Sequence, residues 1–111
     1  MNAALLDDGL ISEAAADATL DTPLHVVFIA AGATPLLRAP RIIVRAGRNA
    51  RLRVIEEYRG LDGDHGLTNV VSDVVLEEGA VVNHHRLQNE PDTCAQIGRV
   101  RARLGALSTF N

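Results

Sequence analysis

Residues 73–89 read DVVLEEGAVVNHHRLQN, and in them two adjacent imidazoles, His84 and His85, follow the acidic pair Glu77 and Glu78. Imidazole and carboxylate are ordinary ligands of zinc and its neighbours, so this stretch is where the chain could hold an ion. A metal site needs three or four ligands converging on one point, whereas successive side chains of a strand project to opposite faces. In a straight strand His84 shares its face with Val82, and His85 shares its face with Val81 and Leu87. The pair therefore cannot close on one ion. His25 and His65 lie far away and fit no ligand spacing. The expectation is a hydrogen-bonded His84 partly inside the fold, His85 on another face, and no metal ligand assigned.

Other reactive side chains give weaker constellations. The loop GLDGDHG at 60–66 has Asp62 and Asp64 at calcium-loop spacing, but Gly66 stands at the next ligand position and the loop glycine is displaced, so it reads as a turn. Cys94, in EPDTCAQIG, has no basic side chain beside it in sequence and reads as a small packing residue. Glu56 with Glu57, and Glu77 with Glu78, read as solvated edges of strands or turns. Consecutive strand carboxylates diverge, which argues against acid–base catalysis by either pair. No catalytic or cofactor-binding residue is assigned, and an enzyme is not expected.

The elements that position these groups follow from composition and period. The 111 residues make one domain, 47% hydrophobic but 3% aromatic and without Trp, so a core must be built from Val, Ile, Leu and Ala in regular layers. The net charge is −3: residues 1–37 hold acids and no base, while all eleven bases, each an Arg, lie beyond. A single aromatic, Tyr58, lies among those Arg residues, so nucleic acid is not an expected partner. A single Cys allows no internal disulfide, and no basic start leads into an apolar run. The longest uncharged stretch, TPLHVVFIAAGATPLL, carries two Pro and falls short of the about 20 residues a membrane span needs. A soluble, cytoplasmic chain is expected.

Short β-branched runs bounded by Gly, Pro, Asn or Asp predict strands in LHVVFIA, RIIVRAG, ARLRVIEEY, VVSDVVLEEG and AVVNHHRLQ. The Ala-rich start has helix propensity but no sustained apolar stripe. The strands repeat. Gly47 aligns with Gly79 and, after a two-residue gap, Ala50 with Ala80; RARLGALSTF brings Gly105 and Ala106 to the same places, and DATLDTPLHVVF begins a first copy at Ala18. Such a period predicts a stacked array of parallel strands with side chains in columns. Leu20, Leu52 and Val82 form one inward column with Ser108 as its polar continuation, and Val54 aligns with His84.

Four segments carry a family resemblance: NAALLDDG at 2–9, DTPLHVVF at 21–28, LTNVVSDVVLEEGAVVNHHRLQNE at 67–90 and IGRVRARLGALSTF at 97–110. They resemble the core of the SufB/SufD family of iron–sulfur cluster assembly scaffold proteins, SufD more closely. His84, Leu87 and Gln88 stand where the family has its His, Leu and Gln after a Glu-Gly-Ala turn. The resemblance implies an all-β, right-handed parallel β-helix, here a partial β-solenoid of about three to four turns. Residues 1–111 would be one partial core, with the family's N-terminal and C-terminal helical regions outside it. It further implies a non-catalytic scaffold component of SUF-type assembly, or a truncated remnant of one, in a SufBCD-like complex. The partners implied are a SufB-like scaffold subunit and a SufC-like ATPase subunit, with the iron–sulfur cluster belonging to the assembled complex. An uncapped stack would also self-associate through its open edge. The alternative is a small metal-dependent, cupin-like β-barrel enzyme, which requires His84, His85 and a further ligand to converge.

Overall fold

Branched aliphatics at alternate positions make each of these runs a half-buried pleated surface, and the computed structural model, which describes residues 9–30, 37–60 and 66–111, turns each into a strand. The elements are β1 (Gly9–Ala14), β2 (Leu24–Ala30), β3 (Leu37–Arg38), β4 (Arg41–Ala46), β5 (Arg51–Gly60), β6 (Leu67–Leu76), β7 (Val81–Asn89), β8 (Ala95–Leu104) and β9 (Thr109–Phe110). No helix occurs among the described residues. One sheet stacks β1, β4, β6 and β8, with β3 pairing β6 just ahead of β4; the other stacks β2, β5, β7 and β9. Every pairing is parallel. The chain thus passes from one sheet to the other and returns one rung further along, which is a parallel β-solenoid, as the repeat predicts.

Inward side chains stack in columns. Ala14, Ala46, Leu76 and Leu104 form one and Ser12, Val44, Val74 and Ala102 the next. On the facing sheet Val54 lies between Leu24 and His84. The shared core is Ile42, Val44, Ala46, Ala50, Leu52, Val54, Val74, Leu76, Ala80 and Val82, all buried. The small Ala50 and Ala80 sit at the corner between the sheets, where a larger side chain has no room.

The expected register of the last copy is wrong by two residues. Phe110, not Ser108, continues the Leu52–Val82 column. Gly47, Glu77 and Gly105 occupy one turn position, each donating its N–H to the carbonyl at the end of the strand one rung back, on Ala14, Ala46 and Leu76. Ser108 then lies level with Ala80, 28 residues on, the interval also seen between Asn83 and Asn111. The physical anchor is a left-handed backbone position, not a glycine: Asp17, Asn49, Gly79 and Leu107 take φ of 64°, 58°, 71° and 58° at the same point of successive turns. Asp, Asn and Gly all tolerate that conformation, so residue type alone hides the alignment. A side chain at Gly79 would also meet Asn49, whose Oδ1 lies 2.2 Å from where a Cβ would stand. Asn49 Nδ2 in turn donates to Asp17 Oδ1 at 3.3 Å.

Leu107 has neither excuse. Its side chain is 87% exposed and its backbone is left-handed, a conformation costing a residue with a Cβ about 1–2 kcal/mol. Leu107→Gly is expected to raise stability by about 1 kcal/mol, seen as a melting temperature several degrees higher. A lower melting temperature would show that the exposed leucine makes a compensating contact.

Candidate functional site: a buried polar cluster

Along β5 the inward positions are Leu52, Val54, Glu56 and Tyr58, so the alternation that buries aliphatics also carries a carboxylate into the interior. Glu56 is 0% exposed. Its neighbours come from three strands. His84 Nε2 donates to Oε1 at 2.6 Å and Ser72 Oγ donates to the same oxygen at 2.7 Å. Tyr58 Oη donates to Oε2 at 3.0 Å and Arg86 Nε at 3.1 Å. Arg86 Nη2 also reaches Ser72 Oγ at 2.8 Å, so the hydroxyl donates and accepts at once. With two donors on each oxygen the carboxylate is close to its full capacity.

Aromatic rings close the cluster on both sides. Tyr58 stacks on Phe28 with ring centroids 5.2 Å apart, and His84 lies 5.9 Å from Phe110. Gly98 on β8 leaves the space that Arg86 fills: a Cβ there would stand 2.3 Å from Arg86 Nη1. The absence of a side chain at 98 is therefore part of how the guanidinium reaches the carboxylate.

The electrostatics follow from this packing. Burial alone would raise the Glu56 pKa, but hydrogen bonds from His84 and Ser72 and the charges of His84 and Arg86 outweigh it and hold the group at about 2. Burial and the charge of Glu56 push the Tyr58 phenol up, keeping it neutral and a donor. An ionised carboxylate that already accepts four hydrogen bonds has little basicity to offer a substrate. What it does is tie β5 and β7 of one sheet to β6 of the other.

The next residue on β5, Glu57, faces the opposite side. It accepts from His25 Nε2 at 2.8 Å, from Arg59, and from Asn89 Nδ2 at 3.1 Å. Its pKa is lowered, first by the hydrogen bond from Arg59. The reading of Glu56 and Glu57 as a solvated edge is thus overturned, for both are buried. Their divergence holds. The physical reason is that each has hydrogen-bond donors one rung away, His84 and Arg86 for the first and His25 and Asn89 for the second, which a pair read in isolation does not reveal.

Residues 28–111 match the family model of the SUF system FeS cluster assembly SufBD core domain. The chain belongs to the SufBD family. It is similar to an iron–sulfur cluster assembly SufBD family protein of Synechocystis sp., with 25% identity over 119 residues that cover 99% of this chain and 26% of that protein. The SufBD chain therefore spans about a quarter of the length of this relative. No solved structure matches it. All five residues of the buried cluster lie within the matched core.

For the remaining candidates the SufBD fold decides most positions. His84 is inward, its side chain 7% exposed, and aligned with Val54, while His85 is exposed on the other face. A cupin barrel is a double-sheet antiparallel fold; the strands here are parallel and the two imidazoles diverge, so the cupin-like alternative is overturned. His25 is committed to Glu57. Glu77 and Glu78 are exposed, as expected, and Glu77 Oε2 accepts the Arg48 N–H at 3.1 Å. Cys94 is half-buried in the turn before β8, where its N–H donates to Pro91 O. Among the described residues no group of three or more His, Cys, Asp and Glu is placed to hold a metal. Asp62, Asp64 and His65 lie outside the described residues. No helix among the described residues is long and apolar enough to cross a membrane.

The functional role of Glu56, Tyr58, Ser72 and Arg86 escaped the sequence reading. A signal was there: once Val54 is placed on His84, Glu56 falls on Arg86, an inward acid opposite an inward base.

Proposed function

We propose that this chain is a non-catalytic scaffold component of SUF-type iron–sulfur cluster assembly, acting in the cytoplasm beside a SufB-like scaffold subunit and a SufC-like ATPase subunit. The observation that carries the proposal is the match of residues 28–111 to the SufBD core domain. The form of the site supports it: the polar cluster is buried, saturated by its own hydrogen bonds and spent on joining two sheets, the behaviour of a rigid framework. The iron–sulfur cluster enters this reading as cargo of the assembled complex. SufD-like identity rests on the resemblance of the segments at 67–90 and 97–110.

Co-purification of the tagged chain from its native cells, with bound proteins identified and iron assayed in the same sample, tests the proposal. SufB-like and SufC-like subunits in stoichiometric amounts are the expected result. Recovery of the chain without either, under conditions where those two subunits still recover each other, removes it from the assembly machinery.

A further inference from the structure

The outer face of the β1–β4–β6–β8 sheet carries charge that the buried cluster does not use. Reading outward positions along each strand, β8 presents Arg99, Arg101 and Arg103, β6 presents Val71, Asp73 and Val75, and β4 presents Arg41, Ile43 and Arg45. β4 and β8 thus raise arginine walls, about 10 Å apart by two strand spacings, on either side of β6. Between them lies an open groove of about 370 Å³ floored by Ile43 and Val75.

One carboxylate already shows what the walls do. Asp73 accepts two hydrogen bonds from Arg101, at 2.7 and 3.1 Å, and two from Arg41, at 3.2 and 3.0 Å. Asp73 itself is in register with Ile43 and Arg101, and Arg41 reaches it from the Val71 level; two residues further along β6, Val75 is flanked directly by Arg45 on one side and Arg103 on the other, with no acid between them. Arg45 Nη1 reaches Glu13 Oε1 at 3.1 Å on its far side, an exposed pair, and such pairs contribute little. Among the described residues, nothing pairs with the guanidinium of Arg103 or Arg99.

We propose that this groove docks an acidic segment of a partner protein, with a carboxylate above Val75 between Arg45 and Arg103 and aliphatic side chains on the Ile43–Val75 floor. Charge complementarity identifies the occupant: guanidinium forks match carboxylates in pairs, and an aliphatic floor suits protein side chains. A nucleic acid fits less well. The face has no aromatic ring on which a base could stack, and Asp73 and Glu13 stand within it against a phosphate backbone.

The test is fluorescence anisotropy of a short labelled peptide of mixed Glu and Val, against the same peptide with Gln for Glu and against a short single-stranded DNA. Saturable binding of the Glu peptide is expected, weakened at least about tenfold by the Gln replacement and by the double variant Arg45→Gln/Arg103→Gln. Val75→Asp leaves both arginines in place and supplies the missing carboxylate from within; it is expected to block the peptide to a similar degree. Arg53→Gln, on the outer face of the other sheet, is expected to leave binding unchanged. Equal binding of the Glu and Gln peptides, undiminished binding to the Val75→Asp protein, or tighter binding of the DNA with displacement of the peptide would each overturn the proposal.

Discussion

Glu56→Ala is expected to lower the unfolding free energy by about 3–5 kcal/mol, the cost of breaking a buried ion pair by removing one partner. The size follows from what stays behind. Arg86, its side chain 21% exposed, would keep only the Ser72 hydroxyl as an acceptor for its buried charge, and His84, 7% exposed, would lose the acceptor of its Nε2. Tyr58 would lose its acceptor as well, leaving an unsatisfied hydroxyl at a fully packed position. For a domain whose total stability is of order 5–15 kcal/mol, that is a large fraction. A denaturant titration reads it as a lower midpoint at unchanged slope.

Glu56→Leu/Arg86→Leu removes both charges and fills the space with aliphatic volume, so it is expected to cost less than Glu56→Ala alone. A double-mutant cycle through the single leucine variants reads the difference. If the two single losses simply add, Glu56 and Arg86 are not coupled across the β5–β7 rung.

What the sequence showed of this architecture depended on whether the deciding interaction lay within one rung or between two. The β-branched runs, the parallel stacking and the Val54–His84 register were legible, because each rests on local alternation and a repeated interval. The last rung was placed two residues out because Gly105 looked like the anchor. The backbone instead fixes register at Asp17, Asn49, Gly79 and Leu107, whose types share no obvious label. Glu56 looked solvated because its partners sit at 72, 84 and 86, on other strands. The basic face shows the same division: Arg99, Arg101 and Arg103 are visible in the sequence as one alternating row, but the opposing wall of Arg41 and Arg45 exists only once the rungs are stacked.

Acidification is expected to remove about 3 kcal/mol of stability between pH 4.5 and pH 2 through Glu56 alone. Its carboxyl is held at about 2 in the folded chain against an ordinary value of 4.5. The unfolded chain therefore binds a proton first as pH falls. The stabilisation is complete above about pH 4.5 and drains away as pH drops toward the folded value. Glu57 and Asp73, whose pKa values are also lowered, add losses in the same direction, so the total acid sensitivity exceeds that of Glu56. Comparison with Glu56→Gln separates the contributions. That variant keeps the side-chain shape but has no carboxyl to titrate, so it starts less stable at pH 7 and loses less on acidification. The two stability curves are expected to converge as pH approaches 2. Parallel curves would mean that the unfolded and folded chains protonate Glu56 alike, which the four hydrogen bonds to its carboxylate make physically untenable unless the cluster is open in solution. The pH titration thus reads directly whether the interior clasp is closed in the working protein.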